Sequence, residues 1–372
     1  MSAAITGRQH GLRVLVLDEQ PDAGGQIFRN IESLEKNRNS EFRQLGDEYE
    51  SGCSLVKKFK KCGADFLTES SVWQVDRDLG VHLVPTFSPN SSHSKPSYVK
   101  TKHLLFAVGA MERPMPLPGW TLPGVMACTA ADVLYKSSGL IPDRDVVLAG
   151  SGPLLLLVAC RLLDAGVRIT ALLDTNQHYA LFKALPYLPK ALRGFNYLKK
   201  GASLLWKIRN AGIPIYTGVE SLEALGNPTL KQVRFKKGEN STELPAEMLL
   251  LHHGVVPNIQ ITRQLGCVHR WYGIQRYWEP LVDEWGNTTI TGVSIAGDCG
   301  RVSGAAISEY SGHVAALDTV FKLGVISKED RDRLAQSHRK LLSGHQAVRP
   351  FLDRLFQPGK VWLVPEDEDT LV

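Results

Sequence analysis

No two of the six cysteines, Cys53, Cys62, Cys128, Cys160, Cys267 and Cys299, stand in a CxxC spacing. That pattern excludes a zinc ribbon and a thioredoxin-like redox pair, and it reads as isolated reduced thiols in a cytoplasmic protein. Charge of one sign is also scarce. The 372 residues carry a formal net charge of +5 with no long block of like charges. This is too mild for a nucleic-acid binder, and no nucleic-acid-binding module is present. Apolar runs are short. The uncharged stretch between Asp145 and Arg161 is broken by Gly150, Ser151, Gly152 and Pro153, short of the ~20 apolar residues that a membrane span needs. The N-terminal apolar stretch Leu12 to Leu17 runs into Asp18-Glu19, unlike a secretory signal. No metal site is expected: His252-His253 are neighbours on a strand and point to opposite faces, and no third ligand stands at useful spacing.

The rest is ordinary globular material, 43% hydrophobic and 22% charged, in a chain long enough for two domains. Residues 2–10 read as the end of a helix closed by Gly11, and Leu12 to Leu17 as a buried strand. Residues 31–63 have helical spacing. Residues 65–85 alternate as strands, and Phe87 to Pro96 reads as a loop. His103 to Ala110 is another strand run ending in glycine. Pro114, Pro116, Pro118 and Pro123 mark an extended crossover between domains. Asp145 to Ala149, Pro153 to Asp164 and Val167 to Leu173 read as strand, helix and strand, a βαβ unit that calls for a parallel sheet. Residues 178–211 are basic and amphipathic, either a solvated helical face or a docking face for a partner subunit. Residues 214–252 read as a meander of strands. Val293 to Ala296 is a short strand, and 305–321 a helix.

The segment Gly150-Ser151-Gly152-Pro153 carries the chemistry that is easiest to read. Gly150 permits a tight turn out of the strand. Gly152 lets the backbone approach a pyrophosphate. Pro153 suits the first helical position, and the helix N-terminus offers partial positive charge to phosphates. Asp174 comes after the second strand at the spacing of about 20 residues used by an acid that holds a ribose hydroxyl. Thr175, Asn176 and Gln177 come next and no arginine does. That favours an unphosphorylated ribose, hence NAD or another adenine nucleotide. Leu155 occupies the third glycine position, which would set the helix farther from the sheet.

A second nucleotide unit is visible in part. The strand ending in Asp18-Glu19 matches the second strand of a Rossmann unit, with Asp18 in the ribose role. The strand and glycine turn that would precede it do not occur in the sequence. Gly24-Gly25-Gln26, the exit strand Ala107-Val108-Gly109-Ala110 (with Val108 where threonine is common) and the late pair Gly297-Asp298 resemble flavoproteins with two dinucleotide-binding domains. Four longer stretches sharpen the likeness: Asp18-Glu19-Gln20-Pro21 through Gly25-Gln26-Ile27; Glu112-Arg113-Pro114 with Pro118-Gly119-Trp120; Gly150 through Leu157; and His253-Gly254-Val255-Val256-Pro257-Asn258. Together they resemble the A (alpha) subunits of opine oxidases, hydroxyproline dehydrogenases and hydrogen cyanide synthase, over nearly the whole chain. Leu155 fits that subgroup's pattern.

The resemblance implies an α/β fold with two Rossmann-like three-layer lobes, the NAD-type lobe inserted into the FAD-type lobe. The FAD lobe would take 1–111 and 256–325, the NAD lobe 112–255, and a C-terminal helix and linker 326–372, with an acidic tail from Glu366 to Asp369. Relatives begin with a further strand and glycine turn and many continue into a four-cysteine domain for a [2Fe–2S] cluster, so the chain is expected to be truncated at both ends. FAD would be held by Asp18, Glu19, Gly24, Gly25, Gln26, Gly109, Gly297 and Asp298, with Ala306 at the start of the helix aimed at the flavin ring. NAD or another adenine nucleotide would be held by Gly150, Gly152, Pro153 and Asp174. No catalytic side chain is expected, because the flavin carries the hydride chemistry; Glu112-Arg113 reads as a strut in the crossover. The implied function is an oxidoreductase subunit of opine or imino-acid dehydrogenase type, reaching its amine or imino-acid substrate through a partner subunit in a hetero-oligomer. Alternatives are an NAD(P)H-dependent flavin reductase of an electron carrier and a non-catalytic nucleotide-binding subunit.

Overall fold

The computed structural model describes residues 1–86, 97–177, 179–359 and 362. The loop expected at Phe87 to Pro96 and the acidic tail from Glu366 to Asp369 lie outside the described residues. The chain divides into two units. Unit 1 comprises 1–111, 256–272 and 277–346; unit 2 comprises 112–255, 273–276 and 347–372.

Unit 2 is a three-layer sandwich built on one parallel sheet. Its strand order is Ile215–Thr217, Ile169–Asp174, Val146–Gly150, Met248–His252 and Val125–Ala127, with every neighbouring pair parallel. The strand that ends in the glycine turn is thus central. Its four residues Val146 to Ala149 are fully buried, as expected when both faces of a parallel sheet are covered. The side chains alternate between two cores. Val147, Ala149, Leu173 and Leu249 face Leu222, Val233 and Phe235 of the antiparallel meander Ser221–Gly226, Leu230–Lys237 and Asn240–Pro245. Val146, Leu148, Leu172 and Leu250 face the helical layer, including Leu155, Val158 and Leu162 of helix Pro153–Asp164 and Ile208 of helix Phe195–Asn210. Residues 214–252 are therefore only partly a meander: their first and last strands belong to the parallel sheet.

The basic stretch from 179 to 210 is not one helix. It breaks into helices Ala180–Ala184, Leu188–Ala191 and Phe195–Asn210 joined by single 3₁₀ turns. Pro186 and Pro189 account for the first break, since neither can donate the hydrogen bond a helix interior requires, and the second, Leu192–Gly194, ends in a glycine. This segment exposes Leu181, Phe182, Leu192, Phe195 and Trp206. Helix Arg349–Leu355 packs back on Ala184 and Ala191 through Val348 and Phe351, so this part of the C-terminal segment is folded into unit 2 where a linker was expected.

Unit 1 repeats the order of parts. A parallel pair, Leu15–Leu17 with Asp65–Leu67, precedes an antiparallel meander of Ser70–Val75, Gly80–Pro85 and Ser97–Lys100. A second parallel pair joins Leu104–Phe106 to Val293–Ile295. Among the described residues the two pairs are separate ladders, and the central glycine-turn strand of unit 2 has no counterpart. Leu15, on a strand expected to be buried, is 41% exposed. Helix Ala305–Lys322 packs on Ser2–Gln9 and on Lys328–Gln346. Asp318, 1% exposed, ties the last two together, accepting from Arg331 at 2.7 Å and from Lys322 at 3.1 Å.

Candidate functional site

In unit 2 the glycine turn is dictated by a close approach. Gly150 has φ +139° and stands opposite His252 in the next strand. A Cβ there would lie 1.6 Å from the His252 carbonyl oxygen, so no other residue fits. That same oxygen accepts the Ser151 N–H at 2.9 Å, and the Gly150 carbonyl accepts the Thr175 N–H at 2.9 Å. The turn is thereby fixed from both flanking strands. Helix Pro153–Asp164 starts directly after it with Gly152 as N-cap, no side-chain cap and no acidic residue in its first turn. Its leading N–H groups and the positive end of its dipole are left for an anion. Asp174 ends the adjacent strand, and its Oδ1 accepts the Asn176 N–H at 2.9 Å, a turn that holds the carboxylate at the strand's end. Gly150, Gly152, Pro153 and Asp174 are thus brought to one end of one sheet. Leu155 is 1% exposed and fills the helix–sheet interface as a core residue.

Beside this turn Glu112, Thr129 and His252 form a cluster that their spacing in the sequence does not show. Glu112 is more than a strut. Its Oε1 accepts from His252 Nδ1 at 2.5 Å, and its Oε2 accepts from the Thr129 hydroxyl and, at 3.3 Å, from the Thr129 N–H. Thr129 lies in the first turn of helix Cys128–Ser138, where a carboxylate is favoured. The neighbouring Arg113 does act as a strut: it is buried and donates to the carbonyls of His253, Gln275 and Arg276. His252 and His253 face opposite sides as expected. His253 is 1% exposed, and burial, together with the charges of Arg113 and His252, pushes its pKa down to about 3, so it is neutral. Among the described residues no group of three His, Cys, Asp or Glu side chains could hold a metal.

In unit 1, Asp18 comes directly after strand Leu15–Leu17 and, like Asp174, accepts an N–H two residues on, its Oδ1 taking the Gln20 N–H at 2.9 Å. Burial raises its pKa above the ordinary value against the pull of that hydrogen bond. Gln20 and Gln26 are joined by Arg29, which donates to both side-chain carbonyls and organises the segment that carries Glu19, Gly24 and Gly25. Gly109 is held by Asn258, whose N–H donates to the Gly109 carbonyl at 3.0 Å and whose amide donates to the Val108 carbonyl at 2.8 Å. Gly297 donates its N–H to Ser311 Oγ at 2.9 Å. Asp298 Oδ1 accepts the N–H groups of Ser303 and Gly304 at 2.8 and 3.0 Å, which shapes the loop leading to helix Ala305–Lys322 and leaves Oδ2 without a hydrogen bond among the described residues. Arg301 anchors that loop on Glu279, a carboxylate 1% exposed that Arg270 also binds. The helix begins at Ala305-Ala306 with no side-chain cap. Unit 1 therefore offers an acid at a strand end, glycine backbone and an open helix N-terminus, which fits a dinucleotide.

All six cysteines are free, and five are buried. Cys299 donates to the carbonyls of Phe106 and Ala296, and burial pushes its pKa up to about 11. It is a packed thiol without a disulfide partner.

Residues 1–316 match the family model for pyridine nucleotide-disulphide oxidoreductases. The A subunit of opine oxidase from Agrobacterium tumefaciens is 37% identical over the whole of this chain and 73% of its own length. The HcnB subunit of hydrogen cyanide synthase from Pseudomonas protegens is 27% identical over the whole of this chain and 79% of its own. Both are named as subunits. The crystal structure of L-proline dehydrogenase from P. horikoshii superposes with a TM-score of 0.61 at 17% identity, over 91% of this chain and 56% of that one, which speaks to the fold. Among the described residues no helix is long and apolar enough to cross a membrane. The chain belongs to the pyridine nucleotide-disulphide oxidoreductase family and is a flavin-dependent oxidoreductase, with FAD and a pyridine nucleotide as its cofactors.

Proposed function

We propose that this chain is the nucleotide-binding subunit of a cytoplasmic opine or imino-acid dehydrogenase, passing electrons between an acceptor and a catalytic partner subunit. The observation that carries this reading is the 37% identity to the A subunit of opine oxidase along the entire chain. Asp18, Glu19, Gly24, Gly25, Gln26, Gly109, Gly297, Asp298 and Ala306 would hold FAD, and Gly150, Gly152, Pro153 and Asp174 an adenine nucleotide. FAD supplies the hydride and electron chemistry. The protein's own groups do the rest: the acids Asp18 and Asp174 would accept from ribose hydroxyls, the uncapped helix N-terminus at Gly152 would receive pyrophosphate, and the helix that opens at Ala305-Ala306 would point at the flavin ring. The cysteines argue against a dithiol relay in this chain, since none is paired and Cys299 stays protonated at neutral pH. The partner subunit would dock on the segment from Leu181 to Trp206, where large apolar side chains stand exposed among lysines.

The test is made on the chain purified with its partner and loaded with FAD. The expected result is bleaching of the flavin absorbance by an opine or imino acid and none by NADH. Rapid bleaching by NADH alone would replace this reading with an NAD(P)H-dependent flavin reductase. Failure of the complex to hold flavin would leave only a non-catalytic subunit.

A further inference from the structure

The turn of unit 2 carries a side chain that the glycine fingerprint does not explain. The His252 imidazole is 2% exposed and is anchored through Nδ1 on Glu112. Its other nitrogen, Nε2, makes no hydrogen bond among the described residues, yet it is aimed into the turn: it lies 3.5 Å from the place a Cβ of Gly152 would take. In such a turn the second glycine is where the backbone comes nearest to a pyrophosphate. The second oxygen of Glu112 receives the Thr129 hydroxyl and N–H at the N-terminus of helix Cys128–Ser138, a position that favours a carboxylate. A carboxylate at Nδ1 fixes the orientation of the ring, and an imidazole held between a carboxylate and a phosphate donates from both nitrogens. This nitrogen opens onto the glycine turn, and the partner its position calls for is an anion.

We propose that His252 Nε2 donates a hydrogen bond to a phosphate oxygen of the adenine nucleotide in unit 2, with Glu112 as the positioning residue behind it. The proposal rests on the reading of unit 2 as a nucleotide site and adds a side-chain phosphate ligand to it. The N–H groups that open helix Pro153–Asp164 supply the other donors, Pro153 having none to give. His252 thus discriminates by phosphate and not by adenosine, which is the task of Asp174.

Titration calorimetry of the full chain with adenosine and with ADP tests this. The unsubstituted chain should bind ADP more tightly than adenosine. His252→Gln, which keeps a donor for Glu112 but loses the imidazole Nε2, should weaken ADP about tenfold or more, the worth of a hydrogen bond to a charged phosphate, and leave adenosine unchanged. Glu112→Gln should move ADP in the same direction without moving adenosine. In ¹⁵N-histidine-labelled protein the His252 Nε2 resonance should shift with ADP and not with adenosine; this readout needs no variant and decides the matter if either substitution fails to fold. Equal weakening of adenosine and ADP would make His252 a structural residue and overturn the proposal. Tighter ADP binding by His252→Gln would overturn it as well, by showing that the imidazole obstructs the phosphate. If the unsubstituted chain binds neither probe, unit 2 is not a nucleotide site and both readings fall.

Discussion

Replacing Leu155 with glycine would restore the third glycine of the dinucleotide fingerprint, and the structure says that doing so damages the protein. Leu155 is 1% exposed and is packed between helix Pro153–Asp164 and the central strand, with Val146 and Leu148 in the same cluster. Truncating a buried leucine to alanine costs about 2–5 kcal/mol through lost burial and the cavity left behind. Glycine within a helix adds ~1 kcal/mol more. At about 2–4 °C per kcal/mol for a domain of this size, the melting of unit 2 should fall by on the order of 10 °C. Thermal melts followed by far-ultraviolet circular dichroism would measure this on the full chain, and ADP titration at low temperature would show no gain in affinity. An unchanged melting temperature combined with tighter ADP binding would sink the idea, since the leucine would then be a lost nucleotide contact and not a core residue.

Four further outcomes come from the same geometry. Asp318→Asn should destabilise unit 1 by about 3 kcal/mol, because it leaves Arg331 and Lys322 around a buried neutral side chain; a urea midpoint equal to that of the unsubstituted chain would contradict this. Acid should weaken the fold before the carboxylates titrate. Burial pushes His103 and His313 down to about 4 and His253 to about 3, so the unfolded chain alone takes up protons between about pH 6.5 and pH 4. Stability is then full above that window and is lost progressively as pH falls through it, and a urea midpoint higher at pH 5 than at pH 7 would be the wrong sign. Cys299→Ser should leave flavin reduction unchanged, and iodoacetamide should not label Cys299 in the folded chain at pH 8, given a thiol pushed up to about 11; labelling there would mean the thiol is neither buried nor inert. Phe182→Glu, at a side chain 76% exposed, should release the partner subunit in size-exclusion chromatography without lowering the melting temperature, and a heteromer that survives would move the interface elsewhere.

The glycine turn was legible because everything it needs is local. Strand, Gly150, Gly152, Pro153 and helix are consecutive, and Asp174 comes at one strand's remove. The insertion of one lobe into the other was legible from motif order. The features that escaped are made by contacts across the sequence. Glu112 and His252 are 140 positions apart, and neither reads as a site residue until the parallel sheet sets His252 beside Gly150. Adjacent histidines on a strand suggested a metal question that alternation answered, but alternation could not say which face held a carboxylate. The strands Ile215–Thr217 and Met248–His252 were absorbed into the meander because a short apolar strand looks alike in parallel and antiparallel company. The C-terminal segment read as a helix and a linker, and its charge hides the few buried positions, Val348 and Phe351, through which helix Arg349–Leu355 packs on unit 2.

Two sites on one chain are held to do separate work, flavin in unit 1 and adenine nucleotide in unit 2, and a paired substitution is the sharpest test of that division. Flavin content and ADP affinity would be measured on the partner-bound chain carrying Asp298→Ala, and again carrying Gly150→Val. Asp298→Ala should lower flavin content and spare ADP binding, while Gly150→Val, which drives a side chain into the His252 carbonyl, should abolish ADP binding and spare the flavin. Loss of flavin on Gly150→Val in a protein that still folds, with flavin retained on Asp298→Ala, would place the flavin in unit 2 and contradict the division.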